Sequence, residues 1–559
     1  MNDNPNARRP GFARLVDDYY RAWFRYHPEE AVDAGVPGYA DRLTPYTPDE
    51  LGALVCLNDE LMVALDEIDP ATLDNDQRID RELLYNAARL ENERLLDIEP
   101  QRPDPGRYLP VEAIYQLLIR PVEDFGASLT ARLAAVPGHL HGARELLAAQ
   151  PHAIPPLWLS TTVTAARAGA DFLRGLKAEP RVAALARPEQ VAAGLDAACT
   201  ALLDYARFLE QDIGPAAQGE VACGRVYFDH LLARRHFLDI DAAGLRDFGA
   251  ELFERTLAEL KACARRLSGS DDVGALTRRI QADHPSPPEL LPLYRRQMEA
   301  ARDFVARHDL VTLPQDAELA VVETPGFLRH QIPFAAYSVP TPRDPRQPGL
   351  YYVTPPAAPE HLGEHNYVGV MHTCVHEAWP GHHLQFVTAN RSPRGSSLPR
   401  FLNASATLYE GWALYCEQMM QEEGFLDRPE QRFLLLKDRL WRALRVLIDV
   451  DLHTAGESVE AAVDRMVRYL DFPRAMALAD VTWYSRAPTV PMGYACGWAL
   501  IDAARTRLRR DAGPFTLKSF HDRLLSQGSI ALPLVLRREF GDGLWSQLRS
   551  EVFKVRGES

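Results

Sequence analysis

His376-Glu377-Ala378-Trp379-Pro380-Gly381-His382-His383 puts a histidine, a carboxylate and two further histidines within eight residues, after a helical-looking run from Tyr367 to Val375. In zinc hydrolases the metal takes neutral imidazoles from one helix, and a Glu beside the first His takes the proton of a bound water. The usual spacing is H-E-x-x-H, because residues four apart share a helix face. Here the fifth position is Pro380, so the motif fails as written. With Pro380-Gly381 looped out, His376-Glu377-Ala378-Trp379-His382 restores it.

On a straight helix His372 and His376 would meet, His382 would point about 120° away, and His383 would sit roughly 10 Å up the axis. A straight helix is excluded, because Pro380 cannot donate to the His376 carbonyl and its ring clashes there. Gly381, free to take positive φ, favours a bulge. A bulge that absorbs two residues brings His382 to the ligand position and leaves Glu377 beside the water. The plainer readings are histidines at a kinked helix end, or a helix stop at Trp379-Pro380-Gly381. His383 and His372 stay open as alternatives to His382.

Downstream, Phe401 to Glu422 reads as a helix carrying Glu410 and Glu417. Glu410 is the candidate third ligand on chemistry, since two His and one Glu form a common catalytic zinc set. On the next helix, about Phe433 to His453, Arg442, Arg445, Asp449 and His453 fall three, four and four apart along one face. The flanking Leu440, Trp441, Leu444, Val446, Leu447 and Ile448 make that helix apolar nearly all round, so its charged row is buried or lines a cavity. Arg442 or Arg445 suits a substrate carboxylate, and Arg445 suits a pair with Asp449 equally well. Tyr494 and His453 are candidate donors to a developing oxyanion, each also readable as a hydrogen-bonded core residue. Gly497 reads as a helix-packing position.

Upstream, Leu319-Ala320-Val321-Val322 and Leu350-Tyr351-Tyr352-Val353 are short β-prone runs, with eight prolines between 325 and 356. Proline is confined to sheet edges and turns, which predicts a small, irregular sheet. A strand edge beside a metal can hold an extended peptide by main-chain hydrogen bonds, which places Tyr352 among the substrate-binding candidates. The plain alternative is a hairpin lying over helices. The rest is helical in pattern: Phe12 to Ile98 with a break around Gly35 to Pro48, then Ser128–Ala134, Gly142–Ala149, Ala165–Leu176 and Val191–Glu210. Asp241 is placed to cap the clearest helix, Asp241 to Leu267. The expected fold is mainly α, with a deep central cleft and a small irregular sheet beside the metal-site helix. An N-terminal helical region, 1–230, would form one side of the cleft and 231–559 the catalytic region, or the two form one continuous domain.

The chain has 559 residues, more than the roughly 250–300 at which single cores stop growing. Hydrophobic residues make up 46% and charged residues 25%, a soluble globular composition. A net charge of −15 argues against nucleic acid or an anionic membrane as partner. Seven widely spaced cysteines without a C-x-x-C pair indicate neither a disulfide framework nor a thiolate zinc site, and fit a reducing compartment. Met1 to Pro10 lacks the apolar run of a secretion signal, and no apolar stretch of about 18 residues follows. A soluble cytoplasmic protein is expected, with fraying after Val555.

The combination H-E-x-x-P-G-H-H-L-Q, then E-G-W-A-L-Y, then R-A-x-R…D…L-H, then P…Y-x-x-G resembles the bacterial domain of unknown function 885 family. That family is grouped with gluzincin-type metallopeptidases, alongside the angiotensin-converting-enzyme-like and thermostable-carboxypeptidase-like enzymes. Gly224-Arg225-Val226-Tyr227 and the His27-Pro28…Gly35 start extend the resemblance. It implies a mainly helical fold with a deep cleft, Zn2+, and hydrolysis of a peptide or similar amide. His376, His382 and Glu410 would be the ligands and Glu377 the general base. The sequence departs at Asp451, where the family is expected to favour Gly, which puts the local charge balance and any role of His453 in question. A metal-dependent amidase acting on a small molecule and a metal-free binding or scaffold protein are the rival readings.

Overall fold

The computed structural model describes residues 11–554 other than 330, 331, 333, 357, 358, 512 and 513. Pro333 and the tail after Val555 lie outside the described residues. The chain is mainly α-helical with one three-stranded sheet, and divides into two compact units, Met1–Glu220 with Ser397–Asn403, and Val221–Ser396 with Ala404–Ser559.

In the first unit the helices start where the sequence supplies caps. Thr47 and Asp74 each close a capping box, with Glu50 and Gln77 answering three residues on. Val16, Tyr19, Tyr20 and Phe24 bury against Leu61, Leu65 and Leu84. Phe125–Ala149 is one continuous helix through Pro137, where the sequence suggested two segments. The inserted segment Ser397–Asn403 is held by Arg400, fully buried, whose Nε donates to Asp80 Oδ1 at 2.8 Å and Nη2 to Asp76 Oδ1 at 3.2 Å.

The second unit carries the motif. Asp241 caps Ala242–Ser268 by accepting from the Gly244 N–H at 2.9 Å. That helix lies against Pro429–Thr454 so closely that a Cβ on Gly249 would stand 2.8 Å from Val446 Cγ1. Helices Ala406–Glu422 and Gly493–Arg510 cross even more closely, where a Cβ on Gly411 would lie 2.4 Å from Gly497 Cα. Gly497 is thus a packing residue. The crossing sets Glu410, beside Gly411, against Tyr494, one turn before Gly497.

The sheet has the order β1-β3-β2, with β1 Leu319–Glu323 parallel and β2 Ala335–Ser338 antiparallel to β3 Gly349–Val353. Ala335-Ala336-Tyr337-Ser338 gave no strand signal, being half alanine and bordered by prolines. Its presence makes β3 the central strand. Tyr352 is therefore paired on both sides, with Val322 and Ala336, and is buried, which removes it from the substrate-binding candidates.

Candidate metal centre

Asn366 caps the helix Tyr367–Glu377 by accepting from the Gly369 N–H at 2.8 Å. The helix stops at Glu377, and a second begins at His382 and runs to Arg391. Between them the Trp379–Pro380 peptide is cis. Hydrogen bonding nevertheless crosses the break with a shifted register. The Gly381 N–H donates to Val375 O at 3.0 Å and the Leu384 N–H to Ala378 O at 3.4 Å. Each reaches six residues back instead of four, so two residues are absorbed, by a break between helices and not by a bulge within one.

Gly381 has φ −70, so positive φ is not what the position requires. A Cβ there would lie 1.8 Å from His376 O and 2.4 Å from Val375 O. Glycine is needed because two backbone segments meet. Trp412 Nε1 anchors the turn by donating to Pro380 O at 2.8 Å.

This arrangement brings His376, His382 and Glu410 together, with one ligand atom from each within 4.8 Å of the others. His376 Nε2 lies 3.6 Å and His382 Nε2 3.2 Å from Glu410 Oε2. All three side chains are buried, and Glu410 Oε2 makes no well-formed hydrogen bond. Atoms that converge at contact distance without hydrogen-bond geometry, in a set of two imidazoles and a carboxylate, form a group that could hold a metal ion.

Behind His376, Glu417 Oε1 accepts from Nδ1 at 2.8 Å. That contact fixes the tautomer with Nε2 turned toward Glu410, as an outer carboxylate does for a metal-binding histidine. Burial favours the neutral His376 ring, but the Glu410 and Glu417 carboxylates beside it raise its pKa to about 10. Burial likewise opposes ionisation of Glu410, yet the charges of His382 and His376 hold its carboxyl well below the usual range. The site is built to hold positive charge.

The alternative histidines stand elsewhere. His383 Nδ1 is hydrogen-bonded with Tyr337 OH at 2.9 Å, and its ring sits edge-on to Trp379. His372 lies with Glu417 and Asp438. Glu377, half-buried, follows His376 directly. The Tyr494 ring lies parallel to that of His376, 6.2 Å between centroids, and its hydroxyl bonds Glu410. Burial, then the Glu410 charge, push the Tyr494 pKa well above the usual phenol value, so it remains a donor at neutral pH.

Three expectations are corrected. His453 is engaged at both nitrogens, Nδ1 accepting from the Cys223 N–H at 3.3 Å and Nε2 donating to Tyr484 O at 3.0 Å, and is a core residue. Arg445 pairs with Asp480 and Tyr484 OH, the latter at 2.8 Å, and not with Asp449 or an open subsite. Asp451 is ion-paired to Arg246 at 2.6 Å and Arg465 at 3.0 Å, which neutralises the departure noted at that position. Arg442 is buried over the Trp441 ring, with Nη1 3.4 Å from Asp438 Oδ1. The sequence reading missed Tyr337, whose ring is parallel to His382 at 6.3 Å, and the outer role of Glu417. The second was discoverable, because Glu417 lies two helical turns beyond Glu410 on the same face.

Two solved structures share this fold. One, a candidate lipoprotein of unknown function from Shewanella oneidensis, matches with TM-score 0.76 and 22% identity over 95% of this chain and 99% of that one. The other, a candidate lipoprotein from Colwellia psychrerythraea, matches with TM-score 0.76 and 16% identity over 97% and 98%. A carboxypeptidase from Deinococcus radiodurans R1 matches at TM-score 0.39 and 12% identity, over 96% of this chain and 100% of that one, too low to bear on function. No curated protein matches. The lipoprotein descriptions of these two structures overturn the expected cytoplasmic location. The error arose from reading compartment out of cysteine spacing and a missing apolar run. Among the described residues, no helix is long and apolar enough to cross a membrane. The family model described as "Bacterial protein of unknown function (DUF885)" matches residues 28–539, nearly the whole chain, and the protein belongs to that family.

Proposed function

We propose that the protein is a zinc-dependent hydrolase of peptide or peptide-like amide bonds. The observation that carries this reading is the convergence of His376 Nε2, His382 Nε2 and Glu410 Oε2 around one point, with Glu377 following His376. These three residues would hold the ion, which supplies Lewis acidity toward a carbonyl oxygen and acidifies water. Glu377 takes the proton of the attacking water and returns it to the leaving amine. Tyr494, kept protonated, donates to the oxygen on which charge develops. The strand β2, whose Tyr337 lies beside His382, is an edge of the sheet among the described residues and is the place for an extended substrate to pair.

The test is a panel of peptides and small acyl amides offered to zinc-loaded protein. Hydrolysis is expected with the native chain, and Glu377→Gln should lose about 100-fold or more in kcat while keeping its metal. His376→Ala and His382→Ala should each lose the ion of this centre. Failure of every substrate, or an unimpaired Glu377→Gln, would sink the reading. Cleavage of acyl amides but no peptide would assign the small-molecule amidase instead.

A further inference from the structure

We infer that His372, Glu417 and Asp438 form a second divalent-cation site, behind His376 and separate from the His376, His382 and Glu410 set. One ligand atom from each lies within 4.8 Å of the others. His372 comes from the helix of His376, one turn earlier, while Glu417 and Asp438 come from Ala406–Glu422 and Pro429–Thr454. Three helices therefore deliver one imidazole and two carboxylates to a common point.

The partners of these groups do not account for them. His372 and Glu417 are each 2% exposed. Neither ring nitrogen of His372 makes a well-formed hydrogen bond, a weak contact with the Gln431 backbone aside. Glu417 Oε1 is taken by His376 Nδ1, which leaves Oε2, also without a hydrogen bond. An orphaned buried polar atom costs about 1–3 kcal/mol, so several facing one another call for an occupant.

Arg442 is the resident rival. Its Nη1 is 3.4 Å from Asp438 Oδ1, but Nη1 and Nε form no hydrogen bonds and the guanidinium is stacked 4.2 Å over the Trp441 ring. It offsets part of the carboxylate charge and leaves His372 and Glu417 Oε2 unsatisfied. An imidazole with two carboxylates suits a transition-metal dication, while calcium and magnesium prefer oxygen alone. Asp438, with its side chain 31% exposed, gives the ion a way in. The Glu417 carboxylate would then join the two centres.

The test is a Co2+ titration of the chelator-stripped full chain, read by visible absorption, with metal content measured after desalting. Two ions per chain are expected. His372→Gln and Asp438→Asn should each reduce this to one, and His382→Ala should also reduce it to one by emptying the other centre. One ion in the native chain, unchanged by either cluster variant, overturns the inference, as do two ions retained in both variants. Loss of both ions in Asp438→Asn overturns it too, because the cluster would then only brace His376. Asp438 is partly exposed, so that variant decides alone if His372→Gln does not fold. Because the ions are counted without substrate, the result is independent of whether the protein hydrolyses amides.

Discussion

Glu417 stands outside the His376, His382 and Glu410 set, yet it determines which way His376 faces. Its Oε1 accepts from Nδ1 at 2.8 Å and leaves Nε2 toward Glu410. Glu417→Gln should therefore weaken ion binding at His376 by about 10–100-fold, read by competition against a chelator of known affinity. Affinity unchanged within a factor of about 3 would show that ring orientation is set by packing alone. The convergence of His376, His382 and Glu410 was legible in the sequence because a His-Glu pair followed by a displaced His has few structural reasons to exist. Their surroundings were not. Arg445 and Asp449 were spaced as an i,i+4 pair, but Asp480, 35 residues on, took the arginine, and spacing within one helix says nothing about partners from another.

At the level of elements, the helix crossing matters as much as the motif. Glu410 meets His376 and His382 because Gly411 and Gly497 let two helices approach backbone to backbone. A Cβ on Gly497 would fall 2.0 Å from Thr407 O. Gly497→Ala should force the helices apart, destabilise the fold by about 1–3 kcal/mol, and loosen Glu410 from the ion, so that metal affinity and melting temperature fall together. A variant with native affinity would mean that the crossing does not position Glu410. The sequence showed helices and their stripes, since periodicity is local. It misjudged the turn at Pro380-Gly381 and missed the strand Ala335–Ser338 that pairs with Tyr352, because both depend on which backbone segments meet.

For the whole molecule, acid should act through buried neutral histidines. His521 donates or accepts at both nitrogens, with Tyr415 OH at 2.9 Å and Leu310 O at 2.7 Å, and His365 does so with Tyr294 OH at 2.8 Å and Thr354 O at 3.0 Å. Burial lowers the pKa of each to about 4. The unfolded chain protonates these rings near pH 6.5 while the folded chain resists until about 4, so the unfolded state binds more protons across that window. Their contribution is complete above pH ~6.5 and declines as pH falls, by up to about 1.4 kcal/mol per pH unit for each ring. Urea midpoints between pH 7 and 5 should show this slope, and His521→Gln should reduce it by about one proton. An unchanged slope would place the acid sensitivity elsewhere.

The segment Ser397–Asn403 belongs to the first unit, although the chain enters it from the helix of His382 and leaves it for the helix of Glu410. Two members of one converging set are thus separated by a loan of seven residues to another body. The motif cannot be excised along any single cut. A fragment beginning at Val221 would carry Leu398, Phe401 and the fully buried Arg400 away from Asp76 and Asp80, leaving a charged side chain and apolar surface without their lodging. Such a fragment should aggregate on expression, and one with Ser397–Asn403 replaced by a glycine-serine bridge should stay soluble. An exchange of the first unit by recombination would have to carry Ser397–Asn403 along with Met1–Glu220.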